Sequence, residues 1–195
     1  MNDNFLDISK INKLSPEKGR VLISEPFMAD KHFKRSVVYL CEHNEDGSFG
    51  FVMNNFLDVP LSELVEDIIN EDFKVSFGGP VSPDNLYYIH TLKNELEGSY
   101  EVMPGLYTGG KFEDLVPLIN TGVIAPNQIR FFLGYSGWES GQLEGELKIN
   151  SWLVGETTTH DVLNTHDKSL WKNILKGMGG KFKMLSNFPE DPSLN

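Results

Sequence analysis

The sequence predicts an α+β fold, a single domain in which helices pack on a large mixed β-sheet. Three observations predict it. Strand-like and helix-like stretches interleave without a regular β-α-β rhythm, and one pair of strands is joined by a tight turn. The chain of 195 residues, 39% hydrophobic and 23% charged, is long enough to bury one sizeable core.

The elements follow in chain order. Residues 1–18 form a polar arm in which Phe5, Ile8, Ile11 and Leu14 make a short amphipathic turn, ended by Ser15-Pro16. The ordered domain runs over 19–188, and 189–195 are a tail. Arg20 to Glu25 predicts a first strand through Val21, Leu22 and Ile23, and Ser36 to His43 a second. Asn44-Glu45-Asp46-Gly47 is a turn, because Asp-Gly supplies the positive φ of a tight hairpin. Phe49 to Asn54 is the returning strand.

Leu61, Leu64, Val65, Ile68 and Ile69 recur at helical spacing opposite Glu63, Glu66 and Asp67, which predicts a helix. Strands are expected at Lys74 to Phe77, Leu86 to Leu92 and Glu101 to Tyr107. Phe112, Leu115, Val116 and Ile119 again show helical spacing, with Pro117 set to kink or shorten that helix. Gln128 to Tyr135 has the apolar run of a buried strand. Gly141 to Asn150 fits a helix or a strand equally, and periodicity does not decide between them. Ser151 to Val154 is a short strand. Leu170, Trp171, Ile174, Leu175 and Met178 define a last helix, capped by Asp167 and stopped by Gly179-Gly180.

Charge and cysteine usage narrow the functional classes. A net charge of −11 with only three arginines, Arg20, Arg35 and Arg130, disfavours nucleic acid, because phosphates repel an acidic surface. Met1 to Leu14 lacks the basic start and apolar stretch of a signal peptide. No apolar run approaches the ~20 residues that span a bilayer. The single cysteine, Cys41, ends an apolar run and is expected as a small buried hydrophobe. These features predict a cytoplasmic protein that does not engage membranes.

Several stretches then combine in a fixed order. Gly19-Arg20-Val21-Leu22-Ile23-Ser24-Glu25-Pro26 precedes Phe33-Lys34-Arg35-Ser36-Val37-Val38, then Glu42-His43-Asn44 with Gly47, Gly50 and Asn54. Gly78-Gly79-Pro80-Val81 and His90 follow. Phe132-Leu133-Gly134-Tyr135-Ser136-Gly137-Trp138, Gly141-Gln142-Leu143-Glu144-Gly145-Glu146 and Trp152-Leu153 complete the set. From about Gly19 to Phe188 the chain resembles the AlgH/YqgE family of small bacterial proteins. The resemblance implies a compact α+β domain with a mixed, strongly curved sheet, and a helical Gly141 to Ile149. It also brings the family's frequent label of transcriptional regulator, without a ligand or reaction.

The candidate chemistry is concentrated at strand ends. Gly134-Tyr135-Ser136-Gly137-Trp138 approximates the G-x-S-x-G of a nucleophile elbow, but the second glycine comes one place early and Trp138 fills a position that should be small. Close packing of Trp138 at a glycine-lined strand end explains the motif more simply. The family motif, by resemblance, accepts Ala in place of Ser136. His43, Asn44, Asn54 and His90 stand at strand ends, where polar side chains commonly satisfy loop backbone groups. With Gly78, Gly79, Ser136, Trp138, Gln142 and Glu144 they are the candidate cleft or binding residues, and sequence alone does not show whether they converge.

Gly78-Gly79 and Gly109-Gly110 match no phosphate loop. Glu144 and Glu146, two apart, point away from one another on a helix, and a lone glutamate is ordinarily solvated. His160-Asp161 and His166-Asp167 lie on different helix faces or in caps, so neither a metal nor any other cofactor is expected. Lys168, Lys172, Lys176, Lys181 and Lys183 occur without an intervening acid. They are a candidate anion contact, against the simpler reading of a solvated helix face. The expectation is a non-enzymatic regulatory protein with a protein or small-molecule partner. A hydrolase acting through Ser136, His43 and His90, and a direct nucleic-acid binder, are the alternatives.

Overall fold

A computed structural model describes residues 14–189 of the chain. Phe5, Ile8 and Ile11 of the expected amphipathic turn, and all but the first residue of the expected 189–195 tail, lie outside the described residues. Among the described residues ten strands form one sheet. They are β1 (Val21–Ser24), β2 (Val37–Asn44), β3 (Gly47–Val52), β4 (Phe56–Pro60), β5 (Lys74–Phe77), β6 (Val81–His90), β7 (Ser99–Met103), β8 (Leu106–Gly109), β9 (Ile129–Glu139) and β10 (Trp152–Gly155). The main path runs β10-β1-β2-β3-β9-β6-β8-β7, with β4 and β5 branching from β9. All pairs are antiparallel except β5 with β9, so the sheet is mixed as expected.

β9 is the spine, and its two halves have different neighbours. Phe131–Leu133 pairs with β5, whereas Ser136–Glu139 pairs with β3. The change occurs at Gly134, whose φ of +66° breaks the alternation of side chains. Phe132 and Tyr135, three apart, consequently pack into the same core: Phe132 stacks on Phe51, and Tyr135 meets Phe49 and Tyr87.

Three apolar clusters result. One lies under α3 (Thr159–Leu163), α4 (Leu170–Met178) and α5 (Gly180–Leu185), joining Val162, Trp171, Leu175 and Phe182 to Val37, Tyr39 and Phe51. A second lies under α1 (Phe112–Asn120), around Leu115, Ile119, Phe131 and Phe73. The third lies under α2 (Gln142–Lys148), where Leu143 meets Val38, Leu40, Trp138 and Trp152. The helix that the resemblance implied for Gly141 to Ile149 is therefore present as α2.

Four sequence expectations are corrected. The helix over Leu61 to Ile69 is a single 3₁₀ turn, Leu61–Glu63, followed by turns. The Asn120 side chain receives the N–H of Ile69 and donates to the carbonyl of Asp67. These anchors hold open a segment too short to be a stable helix by itself. The strand expected over Glu101 to Tyr107 is the β7–β8 hairpin, turning at Pro104-Gly105, with the Glu101 carboxylate accepting from Gly105 N–H. Ser169, not Asp167, occupies the N-cap position of α4; Asp167 accepts from the Ser169 N–H two residues on. Gly179-Gly180 ends α4 but α5 starts at once, because Phe182 and Leu185 are drawn into the same core as Leu175. β4 had no sequence signal.

Arg130 was read only for its rarity. Its guanidinium is fully buried, donating to the carbonyls of Met53, Val162 and Asn164 and to Ser76 Oγ. It also lies over the rings of Phe56 and Phe132. The cation thus ties β5 and β9 to α3, and burial lowers its pKa to about 9.

Candidate functional site

The β2–β3–β9 register places the expected site residues in rungs. On the face covered by α2, His43, Ser48 and Trp138 are cross-strand neighbours, and Leu40, Gly50 and Ser136 form another rung. On the opposite face Glu42, Phe49 and Gly137 share one rung, and Asn44, Gly47 and Glu139 another. A single strand end thus presents two different surfaces.

Beneath α2 the polar groups are tied to one another. The Trp138 and Trp152 indoles both donate to Glu146 Oε2, at 2.9 and 2.7 Å, and Gln142 Nε2 donates to Oε1 at 2.9 Å. Phe33 packs on both indoles. Glu146 is therefore the acceptor for two buried N–H groups, contrary to its expected solvation. His43 Nδ1 lies 2.7 Å from Ser48 Oγ, and its Nε2 lies 3.7 Å from Glu144 Oε1. Sequence spacing gave no hint of this Ser48–His43–Glu144 chain; only the hairpin register reveals it. The three follow the order of a hydrolytic relay. Ser48 itself is the second residue of β3, paired on one side with β2 and on the other with β9.

The remaining expected residues lie elsewhere or serve the fold. Ser136 is fully buried, and its hydroxyl donates to the Gly78 carbonyl. Gly78 and Gly79 are where β5 hands over to β6 against Gly134. A Cβ at Gly78 would fall 2.3 Å from the Gly134 carbonyl oxygen, so backbones meet there directly. The Asn54 side chain accepts from Val37 N–H and donates to the Arg35 carbonyl, closing a loop. His90 lies at the other end of β6, where Nε2 meets Gly109 O and Ser99 Oγ and Nδ1 accepts from Leu92 N–H. Among the described residues Ser136, His43 and His90 share no hydrogen bond, so the alternative of a hydrolase acting through them gains no geometric support. Of the ten candidate residues, Asn44, Trp138 and Gln142 line one hollow, while His43 and Glu144 face one another beneath α2.

His160 and His166 are at separate places on and beyond α3, and Thr158 caps that helix by accepting from Asp161 N–H. Among the described residues no group of three metal-binding side chains gathers, and no helix is long and apolar enough to cross a membrane. Cys41 is buried, and burial raises its pKa. Lys168, Lys172, Lys176, Lys181 and Lys183 are exposed along α4, α5 and the loop before them.

On the face opposite α2, at the strand ends beyond the core packed under α3, α4 and α5, lies a groove of about 870 Å³. Phe49, Tyr87, Tyr135 and Val81 supply its apolar wall, while Glu42, Asp46 and Glu139 supply carboxylates. Gly47 and Gly137 leave it hollow. A side chain at Gly47 would strike the Trp138 carbonyl, with its Cβ 2.4 Å from the oxygen.

The comparisons agree with this architecture. The AlgH-like family profile matches residues 21–183. The chain belongs to the AlgH-like family. A UPF0301 protein of Cytophaga hutchinsonii is 42% identical over 181 residues, covering 91% of this chain and 98% of that one. A UPF0301 protein of Bacteroides thetaiotaomicron is 41% identical over 192 residues, covering 97% of each. The solution structure of the AlgH protein from Pseudomonas aeruginosa superposes with a TM-score of 0.70 at 29% identity, covering 91% of this chain and 97% of that one. The crystal structure of protein DIP2367 from Corynebacterium diphtheriae has a TM-score of 0.72 at 22% identity, covering 90% and 94%, and shares the fold. In this AlgH-like chain the α+β class and the curled sheet are those of the family.

Proposed function

We propose that this AlgH-like chain is a non-enzymatic binding protein of regulatory type, and that the groove at the strand ends of β2, β3 and β9, opposite α2, is its recognition surface. The unit that carries this site is the domain over 19–188. One observation carries the reading. The polar side chains that resembled catalytic groups are spent on internal hydrogen bonds, whereas the groove keeps partly exposed aromatic rings and exposed carboxylates. Partly exposed aromatics in a concave surface are a mark of recognition sites.

The test is turnover of an ester, phosphoester and nucleotide panel by the purified chain. The expected result is no rate above the uncatalysed reaction. Turnover that is lost in Ser136→Ala, His90→Ala or Ser48→Ala would establish an enzyme instead.

The exposed lysines of α4 and α5 favour a second reading, contact with an anionic partner such as nucleic acid. Gel-shift titration against salt checks it, since phosphate contacts weaken steeply as salt rises. Absence of a shift at low salt removes it.

A further inference from the structure

We infer that the groove receives an extended, arginine-bearing segment of a protein partner. This rests on the binding reading above and names the occupant's chemistry.

The argument begins with the rungs. Glu42 and Glu139 lie on neighbouring rungs at opposite sides of β3, and between them stand Phe49 and the side-chain-free positions Gly47 and Gly137. The hollow is therefore bordered by carboxylates on two sides and floored by backbone. Among the described residues, Glu42, Asp46 and Glu139 make no ion pair with a basic side chain. Glu42 accepts only from the Asn44 amide. Along the other wall Phe49, Tyr87 and Tyr135 pack edge to face, with Phe49–Tyr135 and Tyr87–Tyr135 centroids 6.1 and 5.5 Å apart. All three rings remain partly exposed.

A planar cation suits both halves of this lining. Guanidinium stacks on aromatic faces and is gripped in bidentate fashion by carboxylates, and it is less strongly hydrated than an ammonium group. A carboxylate-bearing or phosphorylated ligand would meet three like charges. The groove of about 870 Å³ holds three carboxylates, more than one guanidinium can engage. That breadth argues for a peptide segment with spaced arginines over a single small cation. The occupant differs from the chain's own basic segment, which is helical and carries lysine without arginine.

The experiment is an amide NMR titration of the full chain with the capped peptide Arg-Gly-Arg-Gly-Arg at near-physiological salt. Two matched peptides serve as comparisons, one with citrulline and one with glutamate in place of arginine. The expected result is saturable shifts at Phe49, Tyr87, Tyr135 and Gly137 for the arginine peptide alone. The double variant Glu42→Gln/Glu139→Gln, whose side chains are exposed and carry no fold-bearing bonds, is expected to weaken binding about tenfold or more.

Equal binding of the citrulline peptide overturns cation recognition while leaving the groove a binding site. Preference for the glutamate peptide, or shifts mapping to α4 and α5, overturns it as well. Shifts spread over the acidic surface and unchanged in the double variant overturn the groove as the site. Sedimentation of the chain without peptide provides the last arm, because a salt-sensitive dimer lost in the double variant would make a second copy the occupant. None of these outcomes depends on the turnover panel, so failure here is separable from failure of the non-enzymatic reading.

Discussion

A charged side chain in this domain is defined by what surrounds it, and Glu146 illustrates the point. By sequence it is a glutamate with no evident partner; in the fold it accepts from two indoles that are almost fully buried. Glu146→Ala leaves both N–H groups without an acceptor, which costs on the order of 3 kcal/mol and is measurable as a lower urea midpoint. His90 makes a second case. Burial lowers its pKa, opposed by the hydrogen bond to Gly109 O. Since Leu92 N–H donates to Nδ1, the neutral ring keeps its proton on Nε2. The unfolded chain takes up a proton near the ordinary value of about 6.5, while the folded chain does so only at lower pH. Stability is therefore intact above that value and falls as pH drops through the interval between the two. In His90→Gln this portion of the pH slope disappears, and parallel profiles for the two proteins would contradict the account. None of these partners was legible in the sequence, because each contact joins residues that only the register brings together. Asn54, by contrast, bonds the backbone of Arg35 and Val37, as expected of a polar side chain at a strand end.

At the level of elements, local signals worked where the segment's own pattern decided its structure. The β2–β3 hairpin, α1 and α4 follow directly from Asp-Gly chemistry and apolar spacing. The pattern failed where distant groups intervene, as in the 61–69 segment anchored by Asn120, and where a turn signal, Pro104-Gly105, was absorbed into a strand. α2 was ambiguous by periodicity and was settled by resemblance. Two glycines show how differently a single residue type can matter. Gly134→Ala combines a left-handed backbone with a Cβ 2.3 Å from the Gly79 carbonyl oxygen. It is expected to cost more than about 3 kcal/mol or to prevent folding. Gly145→Ala, inside α2 with nothing within 4 Å of the new methyl, is expected to gain about 0.5–1 kcal/mol. Paired denaturation curves check both signs, and a Gly134→Ala protein as stable as the parent would show that the β9 crossover tolerates a side chain.

For the whole molecule, one sheet serves two purposes on its two faces. The face under α2 locks Trp138, Trp152, Glu146 and His43 together, while the opposite face, packed under α3, α4 and α5 elsewhere, leaves aromatic rings partly exposed beside carboxylates at its strand ends. The class of fold was readable because interleaved elements and one secure hairpin restrict the architecture. The groove was not, since its rings come from β3, β6 and β9 and converge only after Gly134 shifts the alternation. Sequence motifs accordingly pointed to one strand end but to both of its faces at once.

A paired measurement of stability and peptide affinity tests this division most directly. Glu146→Ala is predicted to lower the urea midpoint while binding the arginine peptide as the parent does at a temperature where it is folded. Glu42→Gln/Glu139→Gln is predicted to keep the midpoint and lose affinity. Should Glu146→Ala abolish binding in a folded protein, or the double variant bind unchanged, the two faces do not divide the labour in this way.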